Sequence, residues 1–232
     1  MIKSNILVII PARKGSKGIP SKNKKELLGK PLISYTFDIA SKLDDNYFTY
    51  VSSDDEEILK IAEEYNIKNN GLRPSHLSSD QALTIDVIKY ELEIAEKKNN
   101  LIFDAVLLLQ PTCPIRQIDH LLEAEKLLEQ NVDASIVSVE KIDSNHPFRM
   151  KRIENGFLIN FIDQGFEDMR PRQHLPTVFI RNGSIYLTPR KFIVEDNSMV
   201  SKKTIPIIMD EKHSINIDSY IDFLAAEHYL SR

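Results

Sequence analysis

The chain has 232 residues, a formal net charge of -4, 42% hydrophobic and 28% charged residues, and a single cysteine. That length buries a sizeable core, and that charge gives no bulk reason to propose nucleic acid or an anionic membrane as partner. Cys113 alone excludes an internal disulfide and a cysteine-based zinc cluster; no apolar run approaches the roughly 20 residues that span a bilayer, no secretory leader is read before the first strand, and a reducing cytoplasm is the expected location.

Residues 6–10, Ile-Leu-Val-Ile-Ile, read as a buried parallel strand. They run into a loop, residues 11–23, carrying Arg13, Lys14, Lys17 and Lys22 with Gly15 and Gly18. The loop leaving the C-terminal end of such a strand is where open α/β sheets take ligands. Glycines let backbone N–H groups approach an anion, and the cations supply charge where phosphate would sit. The spacing is neither G-x-x-x-x-G-K-[ST] nor G-x-G-x-x-G. The expectation is a triphosphate cradle, set against the plainer reading of a solvated charged loop.

Pro31 opens a predicted helix to about Leu43, and residues 47–53 form a second strand. Asp54 or Asp55 caps the helix that follows, through Ile58, Ile61 and Ala62. A short strand near Ile67 leads into the turn at Leu72-Arg73-Pro74, and a long helix spans about 80–98. Residues 105–109 are the clearest central strand and end at Gln110-Pro111-Thr112. Helix 118–130 and strand 134–139 follow. From 146 to about 190, short alternating segments broken by Gly156, Gly165, Pro171 and Pro176 suggest an antiparallel insertion serving as a dimerisation arm. The α/β pattern resumes with strand 204–209 and helix 220–230. Alternation of this kind predicts a single α/β domain over 1–232, a doubly wound, mostly parallel sheet with an inserted antiparallel arm.

Several candidates fall at strand C-termini, on one sheet edge. Gln110 offers an amide able to pair with a base edge, or serves as a structural glutamine. Arg73 holds a ligand or caps its turn, and Thr84 touches a ligand or steadies its helix start. Asp218 caps the last helix or ligates Mg²⁺ facing the basic loop. Arg172, in Pro171-Arg172-Gln173, forks a second anion or is solvated. Six histidines lack H-x-x-x-H spacing, and no nucleophile-elbow signature is present.

Taken together, the motifs resemble those of the N-acylneuraminate cytidylyltransferases, the CMP–sialic acid synthetases, nearly end to end. The chain carries P-A-R-x-G-S-K-G-I-P-x-K-N from Pro11 to Asn23, L-R-P at Leu72 to Pro74 followed by Ser79-Asp80 and Thr84, and L-L-Q-P-T-x-P-x-R from Leu108 to Arg116 with Cys113 where Ser is usual. It also carries R-Q-x-L-P from Arg172 to Pro176 and N-G-x-I-Y from Asn182 to Tyr186. The resemblance implies a nucleotidyltransferase-like fold and transfer of CMP from CTP to the anomeric hydroxyl of a nonulosonic acid, with Mg²⁺ and release of pyrophosphate. It implies Arg13, Ser16, Lys17, Lys22 and Asn23 on the triphosphate, and Arg73, Ala82, Thr84 and Gln110 around cytosine and ribose. It places Arg149, Arg172, Gln173, Asn182 and Tyr186 on the sugar acid, Asp218 and Asn216 on the metal, and a homodimer whose arms complete each other's sites.

Three departures accompany it. Asn216 stands where the family has an aspartate. Phe179-Ile180-Arg181-Asn182-Gly183 displaces a sugar-site arginine by one position, and Met199-Val200 lies roughly where a phenylalanine pair is found. Legionaminic or another deoxy nonulosonic acid therefore fits as well as N-acetylneuraminate. A KDO-type or other sugar nucleotidyltransferase and a catalytically silent nucleotide-binding protein are the alternatives.

Overall fold

The structure, a computed structural model, describes residues 4–16, 18–142 and 144–232. Strand β1 (Ile6–Pro11) is buried along nearly its whole length. Successive strand side chains point to opposite faces. Ile6, Val8 and Ile10 accordingly enter one apolar cluster, and Leu7 and Ile9 another. A strand buried on both faces sits mid-sheet with helices on each side.

After β1, the short strands β2 (Glu26–Leu27) and β3 (Lys30–Pro31) pair as a hairpin. There follow α1 (Leu32–Ala40), β4 (Tyr47–Ser53), α2 (Glu56–Glu64), β5 (Lys68–Leu72), α3 (Thr84–Asn99), β6 (Ala105–Leu108), α4 (Ile118–Gln130) and β7 (Ser135–Lys141). The chain then forms β8 (Lys151–Glu154), β9 (Phe157–Asn160), β10 (Phe179–Pro189), α5 (Arg190–Val194), β11 (Thr204–Met209) and α6 (Tyr220–Leu230). The seven-stranded sheet has the order β11-β7-β10-β6-β1-β4-β5. Every pairing in it is parallel except those of β10, which runs antiparallel between β6 and β7. From β1 the chain winds outward through β4 and β5, then crosses back to β6 on the other flank of β1. The strand order thus reverses at β1 and β6, and open sheets bind ligands outside the strand C-termini at that point.

Helices α1, α2 and α4 cover one face through Ile33, Phe37, Ile58, Ala62, Leu121 and Leu128. Helix α3, with Ile88, Leu92 and Ala95, and Ile193 of α5 cover the other. A third, smaller cluster lies beneath the loops rather than within the sheet. It joins Ile19, Leu27, Leu32, Ile115 and Ile217 to Phe223 and Ala226 of α6.

Strand β10 corrects the expected arm. The region 146–190 was read as an insertion, yet Phe179–Pro189 is a strand of the main sheet, with Ser184, Ile185, Leu187 and Thr188 buried. Its partners β6 and β7 hydrogen-bond it from both sides. What stands off the sheet is the β8–β9 hairpin and the irregular stretch 161–178. There Asp168 accepts two hydrogen bonds from the Arg170 guanidinium, which hold its carboxyl down at about 2.

Candidate active site

The loop after β1 is pinned by its own polar groups. Asn23 donates from Nδ2 to the Arg13 carbonyl at 3.1 Å, and the Lys14 backbone N–H donates to Asp54 Oδ1 at 2.8 Å. The two neighbouring aspartates divide their tasks. Asp55 caps α2 by accepting from Glu57 N at 3.0 Å and pairs with Lys24 at 2.8 Å, which leaves Asp54 for the loop. Arg73, at the end of β5, approaches Asp54 to 3.7 Å and donates from Nε to Ser78 Oγ at 3.1 Å. Its side chain is almost wholly buried, and burial lowers the guanidinium from its usual value.

These residues open onto a cleft of about 440 Å³ at the C-terminal edge of β1 and β6. Arg13, Gly15, Ser16, Lys22 and Asn23 line it from the first loop, Arg73, Ala82 and Thr84 from the side of α3, and Gln110 from the end of β6. Asn216 and Asp218 close it. Ser219 is the N-cap of α6, in a capping box with Asp222, so Asp218 is free of that duty. Arg13 meets Asp80 across the cleft at 2.5 Å, both half-exposed. Lys22, with only 11% of its side chain exposed, donates from Nζ to Asp218 Oδ1 at 3.0 Å and to the Ile217 carbonyl at 2.5 Å. Gly18 packs directly against the Asp218 carbonyl, leaving no room for a side chain. Lys17 lies outside the described residues.

The floor is held by Arg116, 2% exposed. It donates to the Gln110 carbonyl at 2.9 Å and to the Ser184 carbonyl at 2.9 Å, and burial lowers its pKa. Sequence reasoning left its role unassigned, although the motif contained it. Burial likewise pushes the neighbouring Cys113 thiol up.

The expected sugar-acid residues are not gathered in this cleft. Asn182 is buried on the wall of an adjoining hollow, donating to Ser214 Oγ at 3.0 Å and accepting from Ser138 Oγ at 2.6 Å, so its amide joins β10, β7 and the last loop. Tyr186 is half-buried against the second cluster. Arg172 and Gln173 are exposed on the arm, and Arg149 donates to the Arg170 carbonyl at 2.8 Å. Met199 also packs on the second cluster, and its carbonyl accepts from Thr188 at 2.6 Å. A second hollow of about 320 Å³ adjoins the cleft at Asn216, lined by Arg181, Glu140, Glu211 and Asp222 among others. Arg181 is exposed and has no ion pair among the described residues. Its one-residue displacement in sequence hid it as a candidate.

Asp218 is one exposed carboxylate on the cleft wall. Among the described residues, no group of three or more His, Cys, Asp or Glu side chains is placed to hold a metal by itself. Mg²⁺ commonly takes one or two carboxylates together with substrate phosphates, so the donor set here fits an ion arriving with a triphosphate.

A family model described as Cytidylyltransferase matches residues 7–155. A CMP-N,N'-diacetyllegionaminic acid synthase of Legionella pneumophila is 34% identical over 228 residues, covering 96% of this chain and 94% of that protein. An N-acylneuraminate cytidylyltransferase of Escherichia coli is 30% identical over 223 residues, covering 96% of this chain and 51% of its own longer length. The solved structure of CMP:2-keto-3-deoxy-manno-octonic acid synthetase complexed with CTP superposes with a TM-score of 0.69 at 14% identity, covering 98% of this chain and 99% of that one, which establishes the shared fold. With a family match over more than half its length and near full-length relatives, the chain belongs to the cytidylyltransferase family.

Proposed function

We propose that the chain transfers CMP from CTP to the anomeric hydroxyl of a nonulosonic acid, releasing pyrophosphate and forming a CMP-activated sugar. The observation that carries this reading is the single cleft at the sheet's switch point. It gathers Arg13, Ser16, Lys22 and Asn23 beside Arg73, Ala82, Thr84 and Gln110, with Asp218 at its mouth.

In this reading the hydroxyl oxygen bonds to the α-phosphorus as the bond from that phosphorus to the bridging oxygen breaks, the bridging oxygen leaves with pyrophosphate, and the hydroxyl proton passes to solvent. Such transfer depends on alignment and on neutralising phosphate charge. The Arg13–Asp80 pair is half-exposed and contributes at most about 1 kcal/mol, so triphosphate oxygens readily displace Asp80 from the guanidinium. Lys22, fixed by two oxygens, carries its charge beside the α-phosphate. Gln110 and the wall of Arg73, Ala82 and Thr84 accept the base and ribose. Mg²⁺, held by Asp218 and phosphate oxygens, would offset the charge that builds on the triphosphate.

Arg181, without an ion pair among the described residues, lies in the adjoining hollow and suits the acceptor's carboxylate. The chain works as a homodimer in this reading. Ile153, Phe157, Leu158, Phe161 and Met169 expose apolar surface on the arm, which a second copy would cover. Arg149, Arg172 and Gln173 ride on the same arm and would serve the neighbour's acceptor site. The cytoplasm, where CTP is made, is the proposed location; no helix among the described residues is long and apolar enough to cross a membrane.

The test incubates the protein with Mg²⁺, CTP and a panel of nonulosonic acids plus KDO, and follows pyrophosphate. Release with one or more nonulosonic acids is expected. Release with KDO alone would transfer the assignment to a KDO-type enzyme, and none with any acid would leave a silent nucleotide-binding protein.

A further inference from the structure

Asn216 stands between a buried thiol and an exposed carboxylate. Its Oδ1 faces Cys113 Sγ at 3.9 Å, and its Nδ2 donates to Asp218 Oδ2 at 3.0 Å. The other Asp218 oxygen receives Lys22 Nζ, also at 3.0 Å. Turning the Asn216 amide over would set an acceptor oxygen against a charged acceptor and aim its NH₂ group at a thiol, a weak acceptor. The amide therefore has one favourable orientation. In that orientation the side facing Asp218 is a donor, and an amide N–H does not ligate a cation.

We propose that Asn216 is a positioning residue rather than a metal ligand. It fixes one oxygen of Asp218 while Lys22 fixes the other, and the chain offers a divalent cation one side chain instead of two. This revises the expectation that Asn216 shares the metal, and it rests on the reading of Asp218 as the metal-facing carboxylate. Cys113 belongs to the same device. Its buried thiol lies 3.5 Å from the Asn182 carbonyl and 3.9 Å from the Asn216 amide oxygen, so that oxygen faces a weak donor shared with the carbonyl while the N–H side is turned outward to Asp218. An aspartate at 216 would have no proton to give Asp218 and would face it as a like charge.

The experiment titrates Mn²⁺ into the protein saturated with a non-cleavable CTP analogue, methylene-bridged between the α- and β-phosphorus. It reads the loss of the free Mn²⁺ resonance, alongside kcat and KM for CTP in pyrophosphate release. Asn216→Ala and Asn216→Ser are expected to lower kcat roughly tenfold or more, the cost of losing a group that orients a metal-facing ligand. Their Mn²⁺ Kd and CTP KM are expected to stay within about threefold of the parent, while Asp218→Ala weakens Mn²⁺ binding about tenfold or more. Cys113→Ala lowers kcat by less, and the double variant Cys113→Ala/Asn216→Ala is no worse than Asn216→Ala alone, since both act through one carboxylate. Mn²⁺ binding weakened as far by Asn216→Ala as by Asp218→Ala would make Asn216 a ligand and overturn the proposal, as would an unchanged kcat. A parent chain that neither binds Mn²⁺ nor releases pyrophosphate would overturn the proposed function together with this inference.

Discussion

Gly183 shows how narrowly single residues set this site. Its φ is +82°, and a side-chain carbon added there would stand 2.5 Å from Gln110 Oε1. The Gln110 amide thus leans on a bare backbone while Arg116 holds its carbonyl from below. Gly183→Ala strains the turn and displaces the amide together. The expected result is a CTP KM raised about tenfold and a narrowed preference for CTP over UTP, consistent with the loss of a hydrogen-bonded contact of about 1.4 kcal/mol. Steady-state kinetics with both nucleotides check it; an unchanged preference would remove Gln110 from base selection. The residues of the first loop were legible in the sequence because they are contiguous. The seat of Gln110 was not, because Gly183 lies far along the chain and reaches it only through the sheet. The same holds for Cys113 and Asn216, two departures from the family pattern that the fold places side by side.

At the scale of elements, helices 118–130 and 220–230 and strand 204–209 were legible to the residue, because each is bounded by turn or capping signals. Strand β10 was not. Its first three residues, Phe179 to Arg181, are exposed and Gly183 breaks the strand pattern, so the sequence looks like arm until the partners on either side are known. The β8–β9 hairpin, by contrast, buries little within one chain. Phe157 is 73% exposed and Ile153 76%. Phe157→Asp and Ile153→Asp are expected to leave the thermal midpoint of the isolated chain within a few degrees while converting a dimer to a monomer by sedimentation. Turnover falls with dissociation if Arg149 and Arg172 act on the neighbour. A parent protein that sediments as a monomer would remove the arm's proposed role.

Over the whole molecule, the cleft is lined by segments far apart in sequence, and three of them each contribute one isoleucine to the small cluster below: Ile19 beside Gly18, Ile115 beside Arg116, and Ile217 between Asn216 and Asp218. Ile217 is fully buried. Ile217→Ala is expected to cost roughly 2–5 kcal/mol of stability, as large-to-small core changes do. It should also lower kcat more than an equally destabilising change in α4, such as Leu128→Ala. Urea unfolding of both variants beside their kinetics makes the comparison, and equal losses of kcat would show the cluster to be only a packing element.

That cluster also bears on how the site moves. Loops tied to one apolar knot do not fray separately; they open as one cooperative unit, and their amides should exchange hydrogen at a common rate that slows together when nucleotide binds. Helix α6 touches no substrate in the proposed reaction, yet Phe223 and Ala226 complete the knot. The chain's last helix is therefore its keystone: loosening it would unlock the triphosphate loop more than two hundred residues upstream without altering a single residue that meets CTP.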